Sequence, residues 1–159
     1  MFGQVLRVLV VLTAVWYLGT LVASFVYLRP EGAFPPLDSR LLGYRPEAVE
    51  AWLMGLTERG RDLLLGPFRW ADALFALLLG ATLSLAAFAT RRRWLAGLAL
   101  VYVVLALAEN AAIAAILRAG VEGLDPAMVG RASGLTVGKW AVLIPTLGAV
   151  IWFSQRGRR

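Results

Sequence analysis

The sequence predicts an all-α protein, a four-helix transmembrane bundle with one amphipathic extramembrane helix between spans one and two. Three observations predict it. Four apolar stretches, at roughly 8–28, 70–90, 94–117 and 135–153, each have the length of a bilayer crossing. The composition is 60% hydrophobic and the mean hydropathy is +0.73, whereas a soluble domain is roughly 45–50% apolar. Few polar residues interrupt the stretches, and cationic residues stand at their ends. Four crossings and their connections use nearly the whole chain, so residues 1–159 read as a single integral membrane domain.

Span one begins almost at the N-terminus, with Arg7 as its early charge and Trp16 and Tyr17 in its middle. Val22-Ala23-Ser24 resembles a signal-peptide cleavage site. The apolar run continues past it to Leu28, which makes it a retained span. Residues 29–69 are the sizeable extramembrane region. Pro30, Gly32, Pro35 and Pro36 make its start irregular, and a helix then opens at Pro46 with Glu47 and Glu50 near its positive dipole end. Val49, Trp52, Leu53, Leu56 and Leu63 recur at helical spacing, so this helix is expected to lie on the membrane surface or cap the bundle. Gly55 and Gly60 weaken the run, and Gly66-Pro67 ends it. Trp52 reads as an interface anchor, with a lid over a site as the functional alternative.

The turn at Thr90-Arg91-Arg92-Arg93 is so short that spans two and three must be antiparallel neighbours. Trp94 follows as an interfacial anchor. A loop with Gly120, Gly123, Asp125-Pro126 and Gly130 leads to span four, which carries Lys139 early and Pro145, a kink site, in its middle. Gly19, Gly80, Gly97 and Gly148 are scattered small residues expected to permit close helix approach.

The net charge of +6 is a topological signal. Arg7, Arg91, Arg92, Arg93, Arg156, Arg158 and Arg159 fall on one side of the membrane, and all ten acids fall on the other side or in the adjoining span residues. No nucleic-acid partner is expected; the basic rim faces anionic lipid heads. The pattern predicts a multi-pass protein of the cell inner membrane with both termini in the cytoplasm and the large loop outside. Cysteine and histidine are absent, which excludes disulfides, thiol chemistry and the imidazole base. No cofactor and no metal site are expected.

One constellation carries chemistry. Asp72 lies just inside the outer end of span two, Glu109 and Asn110 inside that of span three, and Lys139 inside that of span four. Helical rise places them on the order of 5–13 Å below the outer surface. Charges at such depth normally face the bundle interior and pair. The expected network has Lys139 bridging Asp72 and Glu109, with Asn110 completing the hydrogen bonds. The spare negative charge is met by a proton or by a further cation such as Arg69. Tyr102 shares the face of Glu109 about two turns deeper, and Thr136 shares that of Lys139.

Leu42-Gly43-Tyr44-Arg45-Pro46-Glu47-Ala48-Val49, Gly60-Arg61, Asp72, Ala108-Glu109-Asn110 and Lys139-Trp140 together resemble a family of uncharacterised small bacterial four-span membrane proteins. The resemblance covers nearly the whole chain and implies the four-span fold without an activity. Leu63, Leu64 and Leu65 stand where that pattern often has a Tyr after the Gly-Arg pair. A looser architectural analogy runs to sterol-isomerase-like proteins, which keep acids in a membrane pocket.

Three classes of function follow. The first is binding or carriage of a small amphipathic or lipid-like molecule at an outer-leaflet polar cavity, with membrane lipids as surroundings. The second is an accessory or structural subunit among other subunits of a membrane complex. The third is a lipid-modifying enzyme in which Glu109 or Asp72 donates a proton and Lys139 tunes it.

Overall fold

The computed structural model describes residues 2–156; Met1 and the tail arginines Arg158 and Arg159 lie outside the described residues. All regular structure in it is helical. Helix α1 spans Phe2–Ala23 and continues into a π-helical turn, Ser24–Leu28. A short 3-10 turn, Leu37–Ser39, precedes α2 (Pro46–Met54) and α3 (Glu58–Leu65). Three long helices follow: α4 (Pro67–Ala89), α5 (Arg93–Ala119) and α6 (Pro126–Arg156). Four helices are thus long and apolar enough to cross a membrane. The four apolar helices make the chain a multi-pass membrane protein.

Helix α5 is the centre. It packs heavily against α4 on one side and α6 on the other, α4 and α6 touch more lightly, and α1 packs mainly on α4. The buried positions show why these faces meet. Val129, Ala132, Thr136, Lys139, Leu143, Thr146 and Val150 are the buried stripe of α6. Leu95, Ala99, Tyr102, Ala106, Glu109 and Ile116 form a matching stripe on α5. The α6 stripe, and the α5 stripe from Leu95 to Glu109, alternate steps of three and four residues, the repeat that keeps one seam facing a partner in antiparallel bundles. Small side chains fill much of each seam, which lets backbones approach where lipid removes the hydrophobic drive for association.

Of the four glycines expected to serve close approach, one does. A Cβ on Gly80 would stand 2.1 Å from Val103 Cγ2 on α5. Gly19, Gly97 and Gly148 would meet nothing within 4 Å, because they lie on faces turned away from the seams. Helix α1 is held to α4 by polar contacts as well as by packing. Thr13 and Thr82 share a buried 2.9 Å hydrogen bond, and Trp16 Nε1 donates to the Ala71 carbonyl at 3.0 Å.

The expected single outer helix is two. Gly55 ends α2, and Thr57 starts α3 by accepting from the Gly60 backbone N–H with its hydroxyl. The corner is stapled to the preceding loop: the Thr57 backbone donates to the Glu31 carbonyl at 3.1 Å, and its hydroxyl donates to the Glu31 carboxylate at 2.5 Å. Gly32, at φ +71°, passes so close that a Cβ would lie 1.9 Å from the Gly55 carbonyl oxygen.

This pair of helices caps the bundle. Val49, Trp52 and Leu53 join Leu37, Ile116, Leu117, Val129 and Ala132 in one buried cluster. Trp52 is therefore no surface anchor; it is 7% exposed. Helix α6 accounts for the difference. It begins at Pro126 rather than near 135, and its added turns carry Val129 and Ala132 beneath α2. The Tyr44 backbone N–H donates to Ser133 Oγ at 2.9 Å, seating the entry to α2 on those same turns.

A candidate cavity at the loop end of the bundle

The seam positions of α5 and α6 place Glu109 opposite Lys139. Glu109 is 0% exposed and Lys139 is 6% exposed, and they form an ion pair through Glu109 Oε2. Glu109 Oε1 has no hydrogen-bond partner. A buried carboxylate that depends so heavily on one ammonium is costly to orphan. The Lys139 ammonium also donates to the Asp38 carbonyl at 3.2 Å, and the neighbouring Trp140 Nε1 donates to the same oxygen at 3.2 Å. Two donors from α6 thus pin the 3-10 turn of the long loop onto the bundle.

Asn110 follows Glu109 on α5, and one residue of helical rotation turns it towards α4. Its Nδ2 donates to Asp72 Oδ2 at 3.1 Å and to the Arg69 carbonyl at 2.9 Å. The expected bridge from Lys139 to both carboxylates is not what the structure shows. Lys139 pairs with Glu109, and the amide of Asn110 holds Asp72. The packing explains this: α5 lies between α4 and α6, so each outer helix meets its own residue of the Glu109-Asn110 pair. Nor does Arg69 supply the spare charge. Among the described residues, neither its guanidinium nor Asp72 takes part in an ion pair; only the backbone carbonyl of Arg69 is engaged.

Thr136 is fully buried; its hydroxyl donates to the Ala132 carbonyl at 3.1 Å and lies within hydrogen-bond distance, 3.3 Å, of the Tyr44 hydroxyl. Burial pushes the Tyr44 phenol up to about 12, with the nearby Glu109 and Asp38 carboxylates adding to the rise and the Thr136 contact opposing it. Tyr44 therefore stays protonated at neutral pH. Tyr102 is 3% exposed and belongs both to the α4–α5–α6 core and to the cavity wall.

These groups border a cavity of about 280 Å³. It is walled by α1, α4, α5 and α6 and roofed by the long loop and the outer helices. Asp72, Asn110, Tyr102, Lys139 and Arg69 all line it; Glu109 and Thr136 stand behind Lys139 and are not in the wall. Most of the remaining lining is apolar or aromatic, including Tyr17, Phe34, Phe68, Phe75 and Trp140. The π-turn of α1 contributes Ser24 and Leu28.

Sequence reasoning passed over Asp38, Trp140 and Tyr44 as parts of this site. Trp140 follows Lys139 directly, and that adjacency was a readable signal. Asp38 sits in a proline-rich loop with no periodicity, so nothing in the sequence placed it. Among the described residues, no group of acids converges as a metal site would require. Comparison with protein-family models, curated proteins and solved structures returns no match.

Proposed function

We propose that this protein binds a small amphipathic or lipid-like molecule in the cavity between α1, α4, α5 and α6. One observation carries the reading: an apolar cavity of about 280 Å³ with its polar groups gathered on Asp72, Asn110 and Lys139, within the membrane-spanning part of the molecule. Mostly apolar walls with a few convergent polar groups are the usual character of a small-molecule site. The volume accommodates a head group and the first carbons of a chain. The tail's way out is the gap between α1 and α6, which do not pack substantially on each other.

The location that fits this role is a cell inner membrane, with both termini in the cytoplasm and the cavity in the outer half. Arg91, Arg92 and Arg93 at the α4–α5 turn support that orientation, together with Arg7 near the start of α1. The long loop then lies outside, over the cavity.

Native mass spectrometry of the detergent-purified protein tests the reading. The wild type is expected to retain adducts of lipid mass. Ser24→Trp, which adds bulk at a half-buried cavity wall with no polar partner to lose, is expected to shed them while melting as the wild type does. Absence of adducts on the wild type, or equal retention by both proteins, contradicts the proposal.

A further inference from the structure

The chain carries a net charge of +6, yet its cavity has an excess of carboxylates. Asp38, Asp72 and Lys139 line the wall, and Glu109 stands behind it. Lys139 is matched by Glu109, which leaves the two aspartates over. Neither forms an ion pair among the described residues. Their carboxylates are close enough to feel one another: of the charged groups, Asp38 exerts the strongest electrostatic influence on Asp72, ahead of Lys139 and Glu109. The loop brings Asp38 there because Lys139 and Trp140 both donate to its backbone carbonyl. Arg69 does not relieve the pair. Its backbone carbonyl is what meets Asn110, and it is not among the groups acting most strongly on Asp72. Asn110 holds Oδ2 of Asp72 and leaves Oδ1 without a hydrogen bond among the described residues.

Three carboxylates thus share one ammonium. Two like charges in one mostly apolar space repel unless a cation or a proton stands between them. The rest of the wall favours an organic cation. Phe68, Asp72 and Phe75 follow one another on α4 at spacings of four and three residues, so the carboxylate is flanked by aromatic rings on a single helix face. Tyr17 of α1 packs on Phe75 with 5.4 Å between ring centroids and lines the same space. Aromatic faces attract ammonium groups, and more so where water is scarce. Building on the lipid-binding reading above, we infer that the ligand is a cationic amphiphile, an ammonium head on an apolar tail. The head meets Asp72 through Oδ1, with Asp38 adding charge from the loop side and Asn110 positioning the carboxylate by holding its other oxygen. The tail follows the apolar wall towards the gap between α1 and α6.

The test is a head-group panel titrated onto delipidated protein in neutral detergent and read by native mass spectrometry. Its members share one chain length: an alkyltrimethylammonium, an alkylammonium, a fatty alcohol and an alkyl phosphate. Both ammonium members are expected to bind the wild type at least about tenfold tighter than the alcohol or the phosphate, the worth of one charge-assisted contact. The net positive charge of the chain favours the phosphate, so the opposite order is a property of the cavity. Asp72→Asn keeps the side-chain shape and is expected to remove most of the ammonium advantage over the alcohol; Asp38→Asn is expected to reduce it. An undiminished advantage in both variants overturns the assignment. Tetramethylammonium, which has no tail, is expected to compete only in large excess, and equal potency overturns the amphiphile. Wild-type binding without head-group preference, blocked by Ser24→Trp, means that protons balance the aspartates; it overturns the cationic assignment and leaves the cavity reading standing. Binding that Ser24→Trp does not block overturns both. The wild-type panel alone decides the point if an aspartate variant fails to fold.

Discussion

Lys139 and Glu109 show how strongly one residue pair can constrain a membrane bundle. Both sit at seam positions where every neighbour along the stripe is apolar or small, apart from Thr136 and Thr146. Removing one charge strands the other in the buried seam. Lys139→Met is therefore expected to destabilise the protein by about 3–5 kcal/mol, seen as a large drop in melting temperature and folded yield in detergent. Replacing both, as Glu109→Leu with Lys139→Met, is expected to recover most of that loss, since the penalty belongs to the unpaired charge. Equal damage from the single and double variants would show that the pair is not the source of the stability. This much was legible in the sequence: charges inside spans turn to polar partners within the bundle, as Lys139 and Glu109 do in their ion pair and Asp72 does with Asn110. Which charge meets which partner was not legible. That depends on α5 lying between α4 and α6, and a list of depths does not encode a lateral order.

At the scale of the element, the structure divides what looked alike. The four scattered glycines are equivalent by sequence, yet only Gly80 faces a neighbouring helix at contact distance. Gly80→Ala is expected to destabilise by about 1–3 kcal/mol through its clash with Val103, as overpacked cores do, and a second change, Val103→Ala, is expected to relieve it. Gly97→Ala is expected to leave the melting temperature unchanged or slightly raised. Parity between the two glycine variants would place α4 and α5 further apart than described. The outer helix teaches a similar lesson. Its apolar spacing correctly indicated a helical cap, but the weak residue Gly55 is a terminus rather than a tolerated interruption, because Thr57 offers a side-chain cap two residues later. Trp52 lies buried because α6 extends under it, and those extra turns were hidden behind Gly130 and Gly134, which favour a loop reading yet lie inside the helix with open space around them.

For the molecule as a whole, class and span number were legible because bilayer length and the need to satisfy every backbone polar group leave few alternatives. A polar cavity near the span charges was expected; its walls on α1 and on loop residues 34–39 were not, since that loop has no periodicity to place it. Orientation is testable without background, because the chain has no cysteine. Ser39→Cys in the loop is expected to react with a membrane-impermeant thiol reagent applied to intact cells. Ser154→Cys, near the end of α6, is expected to react only after permeabilisation. The reverse pattern would put the cavity in the opposite leaflet.

The most direct measurement is a crystal structure grown from lipidic cubic phase without added ligand. The account predicts elongated density in the space between α1, α4, α5 and α6, its polar end against Asp72, Asp38 and Asn110 and its tail running out between α1 and α6. Side chains collapsed into that space, or a cavity holding only isolated waters, would contradict it.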